Sequence, residues 1–270
     1  MKILAIDSSG IVATVAVLSD DILMAEYTIN HKKTHSQTLL PMIDEIVKMT
    51  ELDLRDLDAV AVAGGPGSFT GLRIGSATAK GLGLALDVPL ISVPTLDALA
   101  YNLCGTAGIV CPMMDARRQQ VYTGVYRFCG NQMETVISQA PMAVEEIAEE
   151  LNRLYAERNP VNYKDAGRSE QGQTGQSISG GCVMEVTLLG DGVPVYRERL
   201  EELLQFPFRI APPHMSRQRA GALAVLAAQY LREGKVQTAE EHGPDYLRLS
   251  QAERERRERM QAESRQAGEG

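Results

Sequence analysis

Chemistry in this chain would have to come from a few polar residues set among glycines. The densest such place is Gly64-Gly65-Pro66-Gly67-Ser68-Phe69-Thr70-Gly71-Leu72-Arg73-Ile74-Gly75. Glycine turns at helix starts bind anions through free backbone N–H groups. No lysine followed by Ser or Thr closes this one, so it is a weak phosphate-cradle signal. His31 and His35 stand four apart, yet Lys32 and Lys33 lie between them and no third ligand is near. Loop and capping roles fit these histidines better, and His214 before Met215 reads as structural. Cys104, Cys111, Cys129 and Cys182 form no C-x-x-C pair, which points to reduced, mostly buried thiols. No serine or cysteine has a recognisable base partner, so peptidase chemistry finds no support.

The elements that must position these residues follow from the patterning. Lys2 to Ile6 is an apolar run ending at Asp7, with Ser8-Ser9-Gly10 as a turn; Ile11 to Leu18 and Ile22 to Ile29 complete a three-strand meander. A helix follows His35-Ser36, with an apolar stripe of Leu39, Leu40, Ile43, Ile46 and Val47, and Pro41 marking its first turn or a kink. Asp58 to Ala63 predicts a buried strand before the glycine turn, and Leu72 to Leu86 a helix after it. Pro89 to Val93 is a further strand, and Thr95 caps a helix through Leu103.

The helix after the glycine turn carries Gly71, Gly75, Ala79 and Gly83 on one face. Glycine inside a helix costs about 1 kcal/mol relative to alanine, so the row needs a reason. Close approach of a partner helix is one, with Leu39, Ile43, Ile46 and Val47 lining the neighbouring helix of a four-helix contact. Tight packing on the chain's own sheet is the alternative.

The second half repeats the pattern less clearly. Ile109 to Met114, Val121 to Phe128 and Gln132 to Ser138 read as another meander, with Asp115-Ala116-Arg117 at its first turn and an acidic amphipathic helix over Val144 to Leu154. Asn162 to Gly181, rich in Gly, Ser and Gln, predicts a flexible insertion. Val183 to Leu189 resumes as a strand before Gly190-Asp191-Gly192, and helices cover Arg197 to Leu204 and Gln218 to Glu233. From Gln251 the chain is charged and small, a solvated tail. The implied units are a first lobe over 1–104, a reduced second lobe over 105–250 with its insertion at 160–181, and a tail over 251–270.

With 270 residues, 44% of them hydrophobic, the chain can bury two modest cores. Its net charge of −8 argues against a dominant nucleic-acid surface. Met1-Lys2 leads directly into strand-like sequence and no apolar run reaches spanning length, so no signal peptide and no membrane association are expected. These features predict a soluble, cytoplasmic α/β protein.

Three antiparallel strands followed by alternating helices and strands resemble one lobe of the actin, sugar-kinase and Hsp70 ATPase superfamily, whose lobes are mixed sheets with helices on both faces. That resemblance places Asp7-Ser8-Ser9 in the first phosphate hairpin. An ordered set is more specific: Ala5 to Ser9, His35-Ser36 with Leu39 to Asp44, the Gly65 to Gly75 stretch, Asp115-Ala116-Arg117, Gly190-Asp191-Gly192 and Tyr246-Leu247-Arg248. Together they resemble the TsaB (YeaZ) family of bacterial tRNA threonylcarbamoyladenosine synthesis, over nearly all of Lys2 to Glu255 outside the insertion.

The resemblance implies a subunit with no catalysis, metal or cofactor of its own. It implies pairing with the catalytic paralogue TsaD through the first-lobe helices, work with the ATPase TsaE, and a homodimer when the partner is absent. Modification falls on the adenosine beside the anticodon of ANN-reading tRNAs, reached indirectly through the complex. Where the paralogue carries two metal-binding histidines, this chain has Thr95 and Leu99, and neither can replace an imidazole. Asp7, Ser8, Ser9 and Arg117 make a candidate vestigial nucleotide or junction site. The rival is an autonomous ATPase or phosphotransferase of the same fold. Against it, Met114 to Gln120 puts bulky and charged residues where a phosphate hairpin needs glycines.

Overall fold

Strand β1 (Lys2–Asp7) pairs antiparallel with β2 (Ala13–Ser19), which pairs antiparallel with β3 (Ile22–Ile29). In this computed structural model, which describes residues 1–31, 34–158 and 184–247, the meander continues through helix α1 (His35–Met49) into β4 (Ala59–Gly65). Helix α2 (Phe69–Leu86) then leads to β5 (Leu90–Pro94). β4 runs parallel to both β1 and β5, giving the sheet order β3-β2-β1-β4-β5. One face of this sheet, with Leu4, Ile6, Val15, Val17, Val60 and Val62, packs under Leu39, Met42, Ile43 and Ile46 of α1 and Ala79 of α2. Residues of opposite parity, such as Ile3, Ala5, Ala16 and Ala61, are equally buried. Strands β1, β2 and β4 are therefore covered on both faces, as their near-continuous apolar runs require, while the edge strand β3 is largely exposed.

After α3 (Thr95–Tyr101) the pattern repeats. β6 (Ile109–Asp115), β7 (Gln120–Cys129) and β8 (Gln132–Ala143) form a second antiparallel meander, followed by α4 (Val144–Arg158). β9 (Val186–Leu189) lies parallel to β6, and the two-residue β10 (Arg209–Ile210) parallel to β9. Between them run the short α5 (Gly192–Val195) and α6 (Arg197–Leu203). The order β10-β9-β6-β7-β8 mirrors the first sheet strand for strand, with β10 and the split helix showing where the copy is reduced. The chain is thus a duplicated α/β architecture, two five-stranded mixed sheets with the same strand order. Its second core joins Ile147, Leu151 and Tyr155 of α4 to Val186, Leu188 and Leu200, with the Tyr155 and Phe206 rings stacked at 4.4 Å.

The compact units divide differently from the sequence expectation. The first is Met1–Thr95 together with the chain from Leu223 onward, and the second is Leu96–Ala222. The division falls inside α7 (Ala220–Arg232), which the sequence had placed in the second lobe. The cause is a long-range tie: Leu90 and Gln237 exchange both backbone hydrogen bonds, at 2.8 and 2.9 Å, and Ala239 enters the first core.

Three local expectations are also revised. Pro41 does not mark the first turn of α1 but lies inside the helix, which starts at His35. His35 is accordingly the first helical residue and not a loop histidine. Thr95 begins α3 as a helical residue, and its buried hydroxyl has no hydrogen-bond partner, so it caps nothing. The insertion expected over 160–181, the tail from 251, Cys182 and Arg248 lie outside the described residues.

Candidate functional site

The carboxyl end of β1 meets the start of α2. Asp7 is buried, and its Oδ1 accepts the Ser9 N–H at 2.8 Å. Burial pushes the Asp7 carboxyl up to about 6, against hydrogen bonding from Ser9 and the charge of His35. The His35 ring donates through Nε2 to the Gly10 carbonyl at 2.8 Å, bracing the same turn from α1. Ser8 Oγ donates to the Gly71 carbonyl at 2.8 Å, and the Ser68 N–H to the Ser9 carbonyl at 2.6 Å. Ser68 caps α2, its Oγ accepting from the Gly71 N–H, while its carbonyl takes the Leu72 N–H. The N–H groups of Ser68 and Gly71 are thus engaged within the chain. Asp7, Ser8 and Ser9 do come together, in a turn closed onto the glycine stretch.

That closure corrects the expected partner face. A Cβ on Gly71 would strike the Ser8 carbonyl oxygen, and one on Gly75 the Ser8 hydroxyl. On Gly83 it would crowd Leu90, and Ala79 is 0% exposed within the first core. Leu39, Ile43 and Ile46 are buried in the same core, and Val47 is half-buried against it. The small residues are there because α2 lies on its own sheet and on the Asp7–Gly10 turn, so this face is not available to a partner.

The opposite face of α2 is a second row at the same spacing, Ala77, Gly81 and Ala85, all exposed. Gly81 has open space where a Cβ would stand. Beside that row, Leu84 is 66% exposed, and on the neighbouring α1 Leu40 is 58% exposed. Reading the i, i+4 repeat from Arg73 as well as from Gly71 would have found it.

The end of the described chain also closes on α2. Asp245 donates its N–H to the Gly64 carbonyl at 2.7 Å, and Tyr246 packs on Phe69 with ring centroids 4.8 Å apart. Arg73 lies 4.0 Å over the Phe69 ring and donates Nε to the Tyr246 hydroxyl at 3.2 Å. Tyr246 thus packs back onto the first unit.

Arg117 belongs to the second unit and is described with it. It sits in the β6–β7 turn, where Arg117, Arg118 and Gln119 have φ of 62°, 54° and 59°, all left-handed. Asp115 anchors the turn: its Oδ1 accepts the Arg117 N–H and the Tyr196 hydroxyl, each at 2.8 Å. The Asp115 N–H donates in turn to Asp191 Oδ1 at 3.2 Å. Burial raises the Asp191 carboxyl, and burial with the Asp115 hydrogen bond pushes the Tyr196 hydroxyl up to about 12. Tyr196 went unnoticed in the sequence, because nothing local marks a tyrosine whose partner is 81 positions away.

Thr95 and Leu99 are both buried, and among the described residues no three of His, Cys, Asp and Glu gather as a metal would require. No helix among them is long and apolar enough to cross a membrane.

Comparison with known proteins gives a consistent picture. The family model described as TsaD, tRNA N6-adenosine threonylcarbamoyltransferase, matches residues 23–256. The tRNA threonylcarbamoyladenosine biosynthesis protein TsaB of Bacillus subtilis is 32% identical over 94% of this chain and 96% of its own length. TsaB of Escherichia coli is 37% identical over 47% of this chain and 55% of its own. Among solved structures, YeaZ from Pseudomonas aeruginosa superposes with a TM-score of 0.69 at 26% identity, over 91% of this chain and 99% of that one.

Proposed function

The chain belongs to the TsaB family, and on that premise we propose that it is the non-catalytic partner of a TsaD-type threonylcarbamoyltransferase. In this reading it takes part in forming threonylcarbamoyladenosine in tRNA, on the adenosine beside the anticodon of ANN-reading tRNAs, together with a TsaE-type ATPase. The observation that carries the absence of its own catalysis is the closed Asp7–Gly10 turn. The Ser8 hydroxyl is taken up by the Gly71 carbonyl and the Ser9 carbonyl by the Ser68 N–H, and Ser8 and Ser9 fill the space beside Gly67, Gly71 and Gly75. Thr95 and Leu99 support it, since a hydroxyl and an alkyl chain offer no imidazole to a metal.

Pairing uses the outward face of the first-unit helices. Ala77, Gly81 and Ala85 let a partner helix approach closely, and Leu40 and Leu84 supply exposed apolar surface beside them. Without the partner the same face joins two copies of this chain, so homodimer and heterodimer compete. The test is co-purification with the catalytic subunit and the ATPase of the same organism, alongside ATP turnover by the chain alone. A stable complex and an inert isolated chain are expected. Turnover by the isolated chain would instead make it an autonomous enzyme.

A further inference from the structure

The β6–β7 turn combines strain with unneutralised charge. Three successive non-glycine residues, Arg117 to Gln119, hold left-handed backbone, a conformation that L-residues adopt singly and at a cost. Elsewhere in the same unit Arg127, Arg153, Arg197, Arg199 and Arg209 each reach a glutamate. Arg117 and Arg118 are exposed and have no carboxylate partner among the described residues. Their nearest carboxylate in sequence, Asp115, turns its Oδ1 to the Arg117 backbone N–H and the Tyr196 hydroxyl and not to either guanidinium. The turn is thus clamped by Asp115, Asp191 and Tyr196 while both guanidinium groups stay free.

We infer that this turn is a contact for the phosphate backbone of a folded RNA. An exposed arginine gains little from a single carboxylate on another protein. A polyanion is different, because each phosphate neutralised releases condensed counterions, and this works at full exposure. Two adjacent guanidinium groups also match the paired donors that phosphate oxygens accept. The chain's charge of −8 does not oppose a local contact of this size. That the RNA is tRNA rests on the proposed function; the phosphate chemistry does not.

The experiment uses the full chain in complex with the catalytic subunit, and a tRNA transcript as probe in filter binding from about 50 to about 200 mM potassium chloride. The variant carries Arg117→Gln and Arg118→Gln together. Expected are unchanged melting, unchanged capture of the catalytic subunit, roughly tenfold weaker RNA binding, and a salt slope lower by between about one and two. Arg117→Lys with Arg118→Lys keeps the charges and retains most of the slope. Folded glutamine variant with unaltered RNA affinity and slope overturns the inference. So does loss of subunit capture with RNA binding intact, which would mark an acidic protein surface as the occupant. If the wild-type chain captures no catalytic subunit, the proposed function fails. RNA binding by the chain alone, compared with its glutamine variant, then still decides the inference. Should the double variant not fold, Arg118→Gln alone gives the same readout.

Discussion

Ser8 donates its hydroxyl to the carbonyl of Gly71 across 63 positions of sequence, and the Ser8 carbonyl fills the space a side chain at 71 would need. The two residues fix α2 against the turn after β1. Gly71→Ala should therefore destabilise by about 2 kcal/mol or more, through overpacking against backbone that cannot move aside. Gly81→Ala, with open space around it, should stabilise by about 0.5–1 kcal/mol on helix propensity alone. Urea unfolding of the two variants checks the contrast, and a similar effect at both sites would contradict the placement.

Charge on the two faces of α2 should separate folding from assembly. Ala79→Arg buries an unpaired charge in the first core and should leave the chain largely unfolded. Gly81→Arg lies outside and should keep native circular dichroism while losing capture of the catalytic subunit. Sedimentation and pull-down read both. A folded Gly81→Arg chain that still assembles would remove the outward face from the interface.

Asp7 gives a pH signature with a definite sign. Its folded carboxyl is raised from the ordinary 3.8 to about 6 by burial, so the folded state holds its proton longer than the unfolded one. Its contribution is most favourable below about pH 4, declines as pH rises to about 6, and is flat above. The loss totals about 3 kcal/mol at roughly 1.4 kcal/mol per unit. Asp7→Asn keeps an acceptor for the Ser9 N–H and should gain on wild type as pH rises from 4 to 7. Urea midpoints at the two pH values test this, and a difference independent of pH would count against it.

The strained turn makes its own forecast. Gln119 is exposed, and its carbonyl accepts the Val144 N–H at 3.2 Å. Gln119→Gly should relieve one left-handed residue and stabilise by about 1 kcal/mol. A lowered melting temperature would mean that the Gln119 side chain holds the turn.

The duplicated strand order was legible because each meander alternates turn residues with short β-branched runs, and the glycine turn announced the entry to α2. Which way α2 faces was not legible. Gly71, Gly75, Ala79 and Gly83 repeat every four residues, but so do Ala77, Gly81 and Ala85, and small residues carry too little hydrophobic contrast to tell a sheet-facing row from a solvent-facing one. The boundary of the first unit was hidden for another reason. Gln237 pairs with Leu90, and such distant partnerships leave no local pattern. The left-handed run at Arg117 to Gln119 was unreadable because none of the three residues favours that conformation; tertiary anchoring at Asp115 imposes it.

The most direct test of the central claim is the amount of threonylcarbamoyladenosine formed in tRNA by purified catalytic subunit, ATPase and this chain, with each component omitted in turn. The account predicts modification by the complete mixture, none by this chain alone, and loss of modification when this chain is left out. Full modification without it, or modification by it alone, would contradict the assignment of a non-catalytic partner.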